Sequence, residues 1–387
     1  MHVLFRPVGD LSQVAVPQGA AETAFLDRYA QIVGLHLTQT PELDREDWFE
    51  AAAMLVAARD RGLPVSVLPR SPLGAAISAP VAHYGPDRDL EDVASADMVL
   101  LGRHLRDDLR DASRIGLAWP NDGDARATHY AELDAFAALA GRRVRLADIP
   151  GNAPAGDGGR LYAGRTPVSD IGTALADFAG REVLIKQVQP AKAMPLARLA
   201  VPGSADPAAC RQAFLSELGI EVLHHEGRRA ALLVQDLLDD LAFETRFFVV
   251  DHTLVAGAPI AANDIPCLDC LGQYAPRIPL RDRVPADWAL SQDSRTATWT
   301  GTAAQRARLW ERLLATAGRA AEAVAAEAPD MTSYTLDLGW TGPLEAGHPV
   351  VVEMNPAGSA GLYGIDPRPL VDALCAKANS LRQARCA

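Results

Sequence analysis

Two stretches near the carboxy terminus, SYTLDLGW (333–340) and HPVVVEMNP (348–356), alternate polar, chemically capable side chains with apolar ones. In an extended strand, residues two apart share a face. Glu353 and Asn355 therefore project together while Val352 and Met354 turn to a core; Asp337 shares a face with Thr335, and Leu336 and Leu338 point the other way. Antiparallel pairing of the two strands would bring Asp337, Glu353 and Asn355 into one cluster. Two carboxylates and an amide oxygen, with no His or Cys, make a hard oxygen site suited to Mg2+ whose remaining ligands are phosphate oxygens. The plain alternative is a set of solvent-facing polar residues on an amphipathic sheet.

Three further stretches carry matching chemistry. In AFETRFFVVDHTLVAG, Glu244 and Arg246 share a face, one able to accept ribose hydroxyls and the other to steady phosphate oxygens, or else the two form a simple ion pair. The strand VLIKQVQ delivers Lys186, and LLVQDLL is an apolar strand ending in a hinge whose backbone could meet an adenine edge above Leu237 and Leu238. Only Lys186, Lys192 and Lys377 among the 37 basic residues are lysines, and two of them lie six residues apart. A compact ammonium kept where arginine is otherwise used fits a phosphate contact that a planar guanidinium would fill badly.

Other features point away from chemistry. Cys267-x-x-Cys270 has no second pair and no spaced His, so it reads as ordinary loop thiols, and the five cysteines fit reduced thiols better than a disulfide framework. His224 and His225 fall in a strand-like run, EVLHHE, and face opposite ways, which argues against a shared metal. The run RHLRDDLRDASR (103–114) reads as a solvated helix face, and GDGG (156–159) lacks the strand and helix of a phosphate loop. The formal charge of −12 argues against a sequence-independent binder of the nucleic-acid backbone, though it leaves room for a local basic pocket, and no stretch of 18 apolar residues reads as a membrane span. The expectation is a soluble, cytoplasmic protein without a signal peptide.

The elements that must position these residues follow from periodicity. With 387 residues, two or three domains are expected. Residues 1–150 alternate strand-like runs (HVLFR, LPVSVLP, DMVLLG, RVRLADIP) with helices such as DWFEAAAMLVAARDRG closing on Gly62 and HYAELDAFAALAGRR closing on Gly141, the pattern of an α/β unit with a largely parallel sheet. PGNAPAGDGGR marks a linker at 151–160. A compact unit over 161–238 follows, with a helix near 169–178, strand REVLIKQVQ, helix DPAACRQAFLSELG closing on Gly219, and strands EVLHHE and RAALLVQDLL. The remainder, 239–387, holds a long strand, its hairpin partner, an irregular segment (263–300), a helix over 303–327, the two polar strands, and a last helix from Pro367. The fold class is α/β and α+β.

In order as well as content, VLIKQV, LLVQDLL, ETRFFVVDHTLVAG, TLDLG and EMNP resemble the ATP-grasp superfamily over roughly residues 180–370, with the amino-terminal α/β unit in the place of that family's pre-ATP-grasp domain. GSAGLYGIDPRPLV is similar to a small bacterial and phage-associated branch. The resemblance implies a lid subdomain at 161–238 and a carboxy-terminal subdomain at 239–387 with ATP between them. It implies that Lys186, with Lys192 as a second lysine, contacts phosphates and that Gln235, Asp236, Leu237 and Leu238 form the adenine hinge. Glu244 is then expected to hold ribose and Arg246 a phosphate or acyl phosphate. Asp337, Glu353 and Asn355 are expected to hold Mg2+. Gly358, Ser359 and Tyr363, in the glycine-rich turn after Asn355, are expected to contact substrate. The implied activity is ATP- and Mg2+-dependent ligation of a small-molecule or peptide carboxylate to an amine through an acyl phosphate; alternatives are phosphoryl transfer to another acceptor and a non-catalytic peptide-binding module. No nucleic acid or membrane partner is expected, and oligomeric state is open. Two departures stand out. The lid loop QPAKAMPLARLAVPGSA has a single glycine, and Thr335 stands where several members place an Arg, so Arg246 or another Arg must stabilise an oxyanion.

Overall fold

The structure, a computed structural model, describes residues 3–6, 12–34, 36–67, 98–101, 143–148, 169–187, 197–224, 232–260, 267–269, 271–290, 298–357 and 360–386. Lys192, Gly358, Ser359, His225, Cys270, the linker 151–160, the charged run 103–114 and the expected helix closing on Gly141 lie outside the described residues.

In the amino-terminal part, β1 (Val3–Arg6) lies between β4 (Val65–Val67) and β5 (Met98–Leu101), all parallel, as the alternating pattern predicts. A second parallel pair, β2 (Gln13–Ala15) with β3 (Thr38–Thr40), flanks helix α1 (Ala20–Val33). Sequence reading passed over α1, although Phe25, Leu26, Tyr29 and Val33 form a buried helical stripe. The helix stops at Gly34, whose φ of 64° is left-handed and open to a residue without Cβ; its N–H bonds the Ala30 carbonyl. Helix α2 (Arg45–Asp60) is the one expected from DWFEAAAMLVAARDRG.

Strand β6 (Val144–Asp148), expected at the end of this unit, instead joins a five-stranded sheet with order β7-β6-β10-β8-β9. It pairs with β7 (Ser169–Asp170) and β10 (Leu232–Asp236), and β8 (Glu182–Gln187) and β9 (Ala197–Ala200) complete the sheet beyond β10. Helix α3 (Ile171–Ala176) starts at Asp170, whose carboxylate accepts the Gly172 N–H. It packs beside α4 (Pro207–His224) over a core of Ile171, Phe178, Val183, Ile185 and Phe214. Here the expectation fails: α4 does not close on Gly219 but runs to His224, so EVLHHE begins as helix and not as a strand. One internal glycine costs only about 1 kcal/mol, less than the burial of Phe214 and Leu218 returns.

The carboxy-terminal sheet is antiparallel, order β12-β11-β15-β16, from β11 (Ala242–Val250), β12 (Thr253–Pro259), β15 (Ser333–Thr341) and β16 (His348–Pro356). The intervening irregular segment contributes the short pair β13 (Trp288–Ala289) and β14 (Thr298–Trp299). One sheet face, with Phe247, Leu336, Leu338 and Met354, packs on helix α5 (Ala303–Glu327) through Leu309, Trp310 and Leu313. Thr302 and Gln305 close a capping box at the start of α5. The other face, with Phe248 and Val250, packs on α1, α2 and the last helix α6 (Pro367–Cys386). Alternation thus sends Arg246, Asp337, Glu353 and Asn355 to the face that the amino-terminal helices cover. No helix among the described residues is long and apolar enough to cross a membrane.

Candidate functional site

Register does the assembling. Arg246 lies opposite Asp337 in the β11/β15 pair, and Asp337 lies opposite Glu353 in the β15/β16 pair. Immediately beyond, Leu338 pairs with Val351, so Val352 is the extra residue of a bulge. Arg246 Nε donates to Asp337 Oδ1 at 2.7 Å and Nη2 to Oδ2 at 2.6 Å, a two-pronged pair with both side chains buried. The Asn355 amide nitrogen donates to Glu353 Oε1 at 3.0 Å and to Asp337 Oδ2 at 3.3 Å. Asp337, Glu353 and Asn355 therefore meet as strand parity predicts. From the opposing five-stranded sheet, Lys186 Nζ reaches Glu353 Oε2 at 3.0 Å.

These contacts divide the charge unequally. Burial alone would raise the Glu353 carboxyl, but the Lys186 ammonium, with help from the Asn355 amide, holds it down at about 2. Burial pushes Asp337 up, and the bidentate Arg246 opposes that shift. For Arg246, burial opposes the charged form, yet Asp337 outweighs it and keeps the guanidinium firmly protonated. A desolvated ion pair contributes little net stability when intact and costs several kcal/mol when one partner is removed, on the order of 3–5. Such a pair is better explained by the fixed position it gives the Asp337 carboxylate than by stability.

The remaining guanidinium nitrogen, Nη1, donates to the Gly361 carbonyl at 3.1 Å, and the guanidinium carbon stands 4.8 Å from the centre of the Tyr363 ring. Tyr363, expected to contact substrate, is thus placed beside the cluster. Its φ of 49° is left-handed, a costly conformation for a residue with Cβ. The Tyr363 N–H donates to Glu50 Oε1 at 2.7 Å. Sequence reading missed Glu50. It is a carboxylate on the apolar face of α2, between Phe49 and Ala51, and that misfit with its neighbours is the signal that could have found it.

At the expected hinge, Gln235 is fully buried at the end of β10, next to the strand that carries Lys186. The Asp236 carboxylate accepts from the Arg143 N–H (2.9 Å) and from Arg181 (3.2 Å), and the Asp236 N–H in turn donates to the Arg143 carbonyl at 3.1 Å. Leu237 and Leu238 are half-buried. Glu244 is buried on β11 at an irregularity: Phe243 has a φ of 54°, and the register with β15 shifts between Ala242 and Thr245. Thr335 pairs with Asn355, and the guanidinium beside Asp337 comes from Arg246 on the neighbouring strand.

The donor set fits a hard divalent cation: two carboxylate groups and an amide converge, and an ammonium already stands against one of them. Among the described residues no group of three or more His, Cys, Asp and Glu is placed to hold a metal.

No protein-family model and no curated protein matches the chain. Solved structures that the chain is similar to include ATP-grasp proteins. Among them are the RimK domain protein ATP-grasp from Sphaerobacter thermophilus (16% identity, 88% of this chain and 97% of that one, TM-score 0.39) and the ATP-grasp ligase PsnB complexed with precursor peptide PsnA2 and AMPPNP (14%, 97% of each, TM-score 0.38). Another is D-alanyl-alanine synthetase A from Vibrio cholerae (10%, 98% of each, TM-score 0.44).

Proposed function

We propose that this chain is an ATP-grasp ligase that activates a carboxylate with ATP and joins it to an amine, giving an amide or peptide bond. The observation that carries this reading is the meeting of Asp337, Glu353 and Asn355 on one sheet with Lys186 reaching across from another. Two sheets joined through an ammonium and a carboxylate cluster would bracket the phosphates of a nucleoside triphosphate.

Asp337, Glu353 and Asn355 would hold Mg2+, which when bound supplies positive charge against the β- and γ-phosphate oxygens. Lys186 would leave Glu353 for the phosphates when nucleotide enters, with Lys192 as a second phosphate lysine. Gln235, Asp236, Leu237 and Leu238 would form the adenine hinge, and Glu244 would take the ribose. Arg246 orients Asp337 and steadies the transferring phosphoryl group with its remaining N–H capacity. Gly358, Ser359 and Tyr363 would line the acyl site. The lid of this reading takes in β6 as well as residues 161–238, since that strand is hydrogen-bonded into the same sheet.

In the first step the substrate carboxylate oxygen attacks the γ-phosphorus and ADP departs. In the second the amine nitrogen attacks the acyl carbon and inorganic phosphate departs, while the amine's extra proton passes to a base or to water. Positioning and charge neutralisation do the work, and no protein nucleophile is needed. Incubation with Mg·ATP, hydroxylamine and a panel of amino acids and peptides tests the reading. Carboxylate-dependent ADP release with hydroxamate formation is expected. Phosphorylated product without hydroxamate would identify a phosphotransferase, and no ADP release with any carboxylate would favour a binding module.

A further inference from the structure

Glu50 comes from the amino-terminal helix α2, yet it ends at the turn that follows the EMNP strand. The turn is tied on both sides. From the sheet, Arg246 donates to the Gly361 carbonyl and covers the Tyr363 ring; from α2, Glu50 accepts the Tyr363 N–H. The approach is close enough that a Cβ on Gly361 would lie 3.2 Å from Glu50 Oε1 and 3.5 Å from Glu46 Oε1. The left-handed backbone at Tyr363 needs an external partner to persist, and Glu50 is that partner.

We propose that Glu50 is a positioning residue for the reaction: it clamps the 361–363 turn against Arg246 and so fixes the acyl side of the site from the amino-terminal unit. The connection runs from α2 through Glu50, the turn and Arg246 to Asp337. Burial, reinforced by Glu46 and opposed by the Tyr363 N–H and by Arg246, raises the Glu50 carboxyl to about 8, so near neutral pH it works as a hydrogen-bond acceptor and not as a counterion. Glutamine can supply that acceptor, whereas alanine and the shorter aspartate cannot reach. The functional half of this inference rests on the ligase reading.

Two measurements test it on the full chain: amide hydrogen exchange at Tyr363, and steady-state turnover with Mg·ATP, hydroxylamine and whichever carboxylate supports ADP release. Glu50→Ala is expected to speed Tyr363 exchange by about tenfold, the effect of one lost hydrogen bond, with exchange in α5 unchanged. Its KM for the carboxylate should rise by about tenfold or more while the KM for ATP stays put. Glu50→Gln should restore both values, and Glu50→Asp, which keeps the carboxyl group but retracts it, should behave like alanine. Should Glu50→Ala fail to fold, the Gln and Asp pair decides. Unchanged Tyr363 exchange in the Ala and Asp variants, a glutamine variant as impaired as alanine, or equal rises in both KM values would overturn the proposal. If the wild-type chain turns over no carboxylate, the ligase reading and the functional half fall together, and Tyr363 exchange alone decides the clamp.

Discussion

Replacing Asp337 with Asn removes one negative charge from the most deeply buried contact of the site. The Arg246 side chain is 7% exposed and that of Asp337 2%, and the two share bonds of 2.7 and 2.6 Å. An amide offers one acceptor oxygen in place of two and no counter-charge, while the guanidinium stays protonated. Glu353 offers little rescue, because Lys186 already holds it. Leaving a buried cation unpaired costs about 3–5 kcal/mol. Denaturant unfolding followed by tryptophan fluorescence reads this directly, since Trp310 and Trp340, each 1% exposed, lie in the core on the opposite face of the same sheet. Adding Arg246→Met to Asp337→Asn should recover part of the loss, at least about 1.5 kcal/mol, because the orphaned charge is gone. A loss below about 1 kcal/mol, typical of a solvent-screened pair, would refute the reasoning, and so would a double variant no more stable than Asp337→Asn.

The depressed Glu353 carboxyl contributes stability that is present above its ordinary value of 4.5 and is lost as pH falls toward about 2. Lys186→Met removes the leading cause of that depression, so its acid-unfolding midpoint should move to higher pH; an unmoved midpoint in an acid titration would contradict the pairing. Glu50 works with the opposite sign. Its contribution is complete below pH 4.5 and declines as pH rises to about 8, so denaturant stability of the wild type should fall across that window more steeply than that of Glu50→Gln. Thr302→Ala, which opens the capping box of α5, should cost about 1 kcal/mol in denaturant unfolding and leave nucleotide binding unchanged in calorimetry.

How far the residues could be read depended on whether local pattern or distant contact set their place. The strands 333–341 and 348–356 and the helices 303–327 and 367–386 were legible because each buries a face at its own period, and the convergence of Asp337, Glu353 and Asn355 followed from parity alone. Gly219 misled because glycine marks a helix end only when the chain leaves helical geometry there, and in α4 the chain does not. Strand β6 was assigned to the wrong sheet because hydrogen-bond partners 93 residues apart, such as the Arg143 N–H and the Asp236 carboxylate, leave no trace in local periodicity. The Arg246 fork on Asp337 and the Glu50 bond to Tyr363 were hidden for the same reason: side-chain reach across strands and units is set by tertiary packing.

Calorimetric titration with AMPPNP, with and without Mg2+, on the wild type and on Glu353→Gln tests the central claim most directly. Saturable binding that requires Mg2+ in the wild type and weakens by at least about tenfold in Glu353→Gln is the expected result, since the variant removes one carboxylate from the donor set. Binding that is indifferent both to Mg2+ and to the substitution would contradict it.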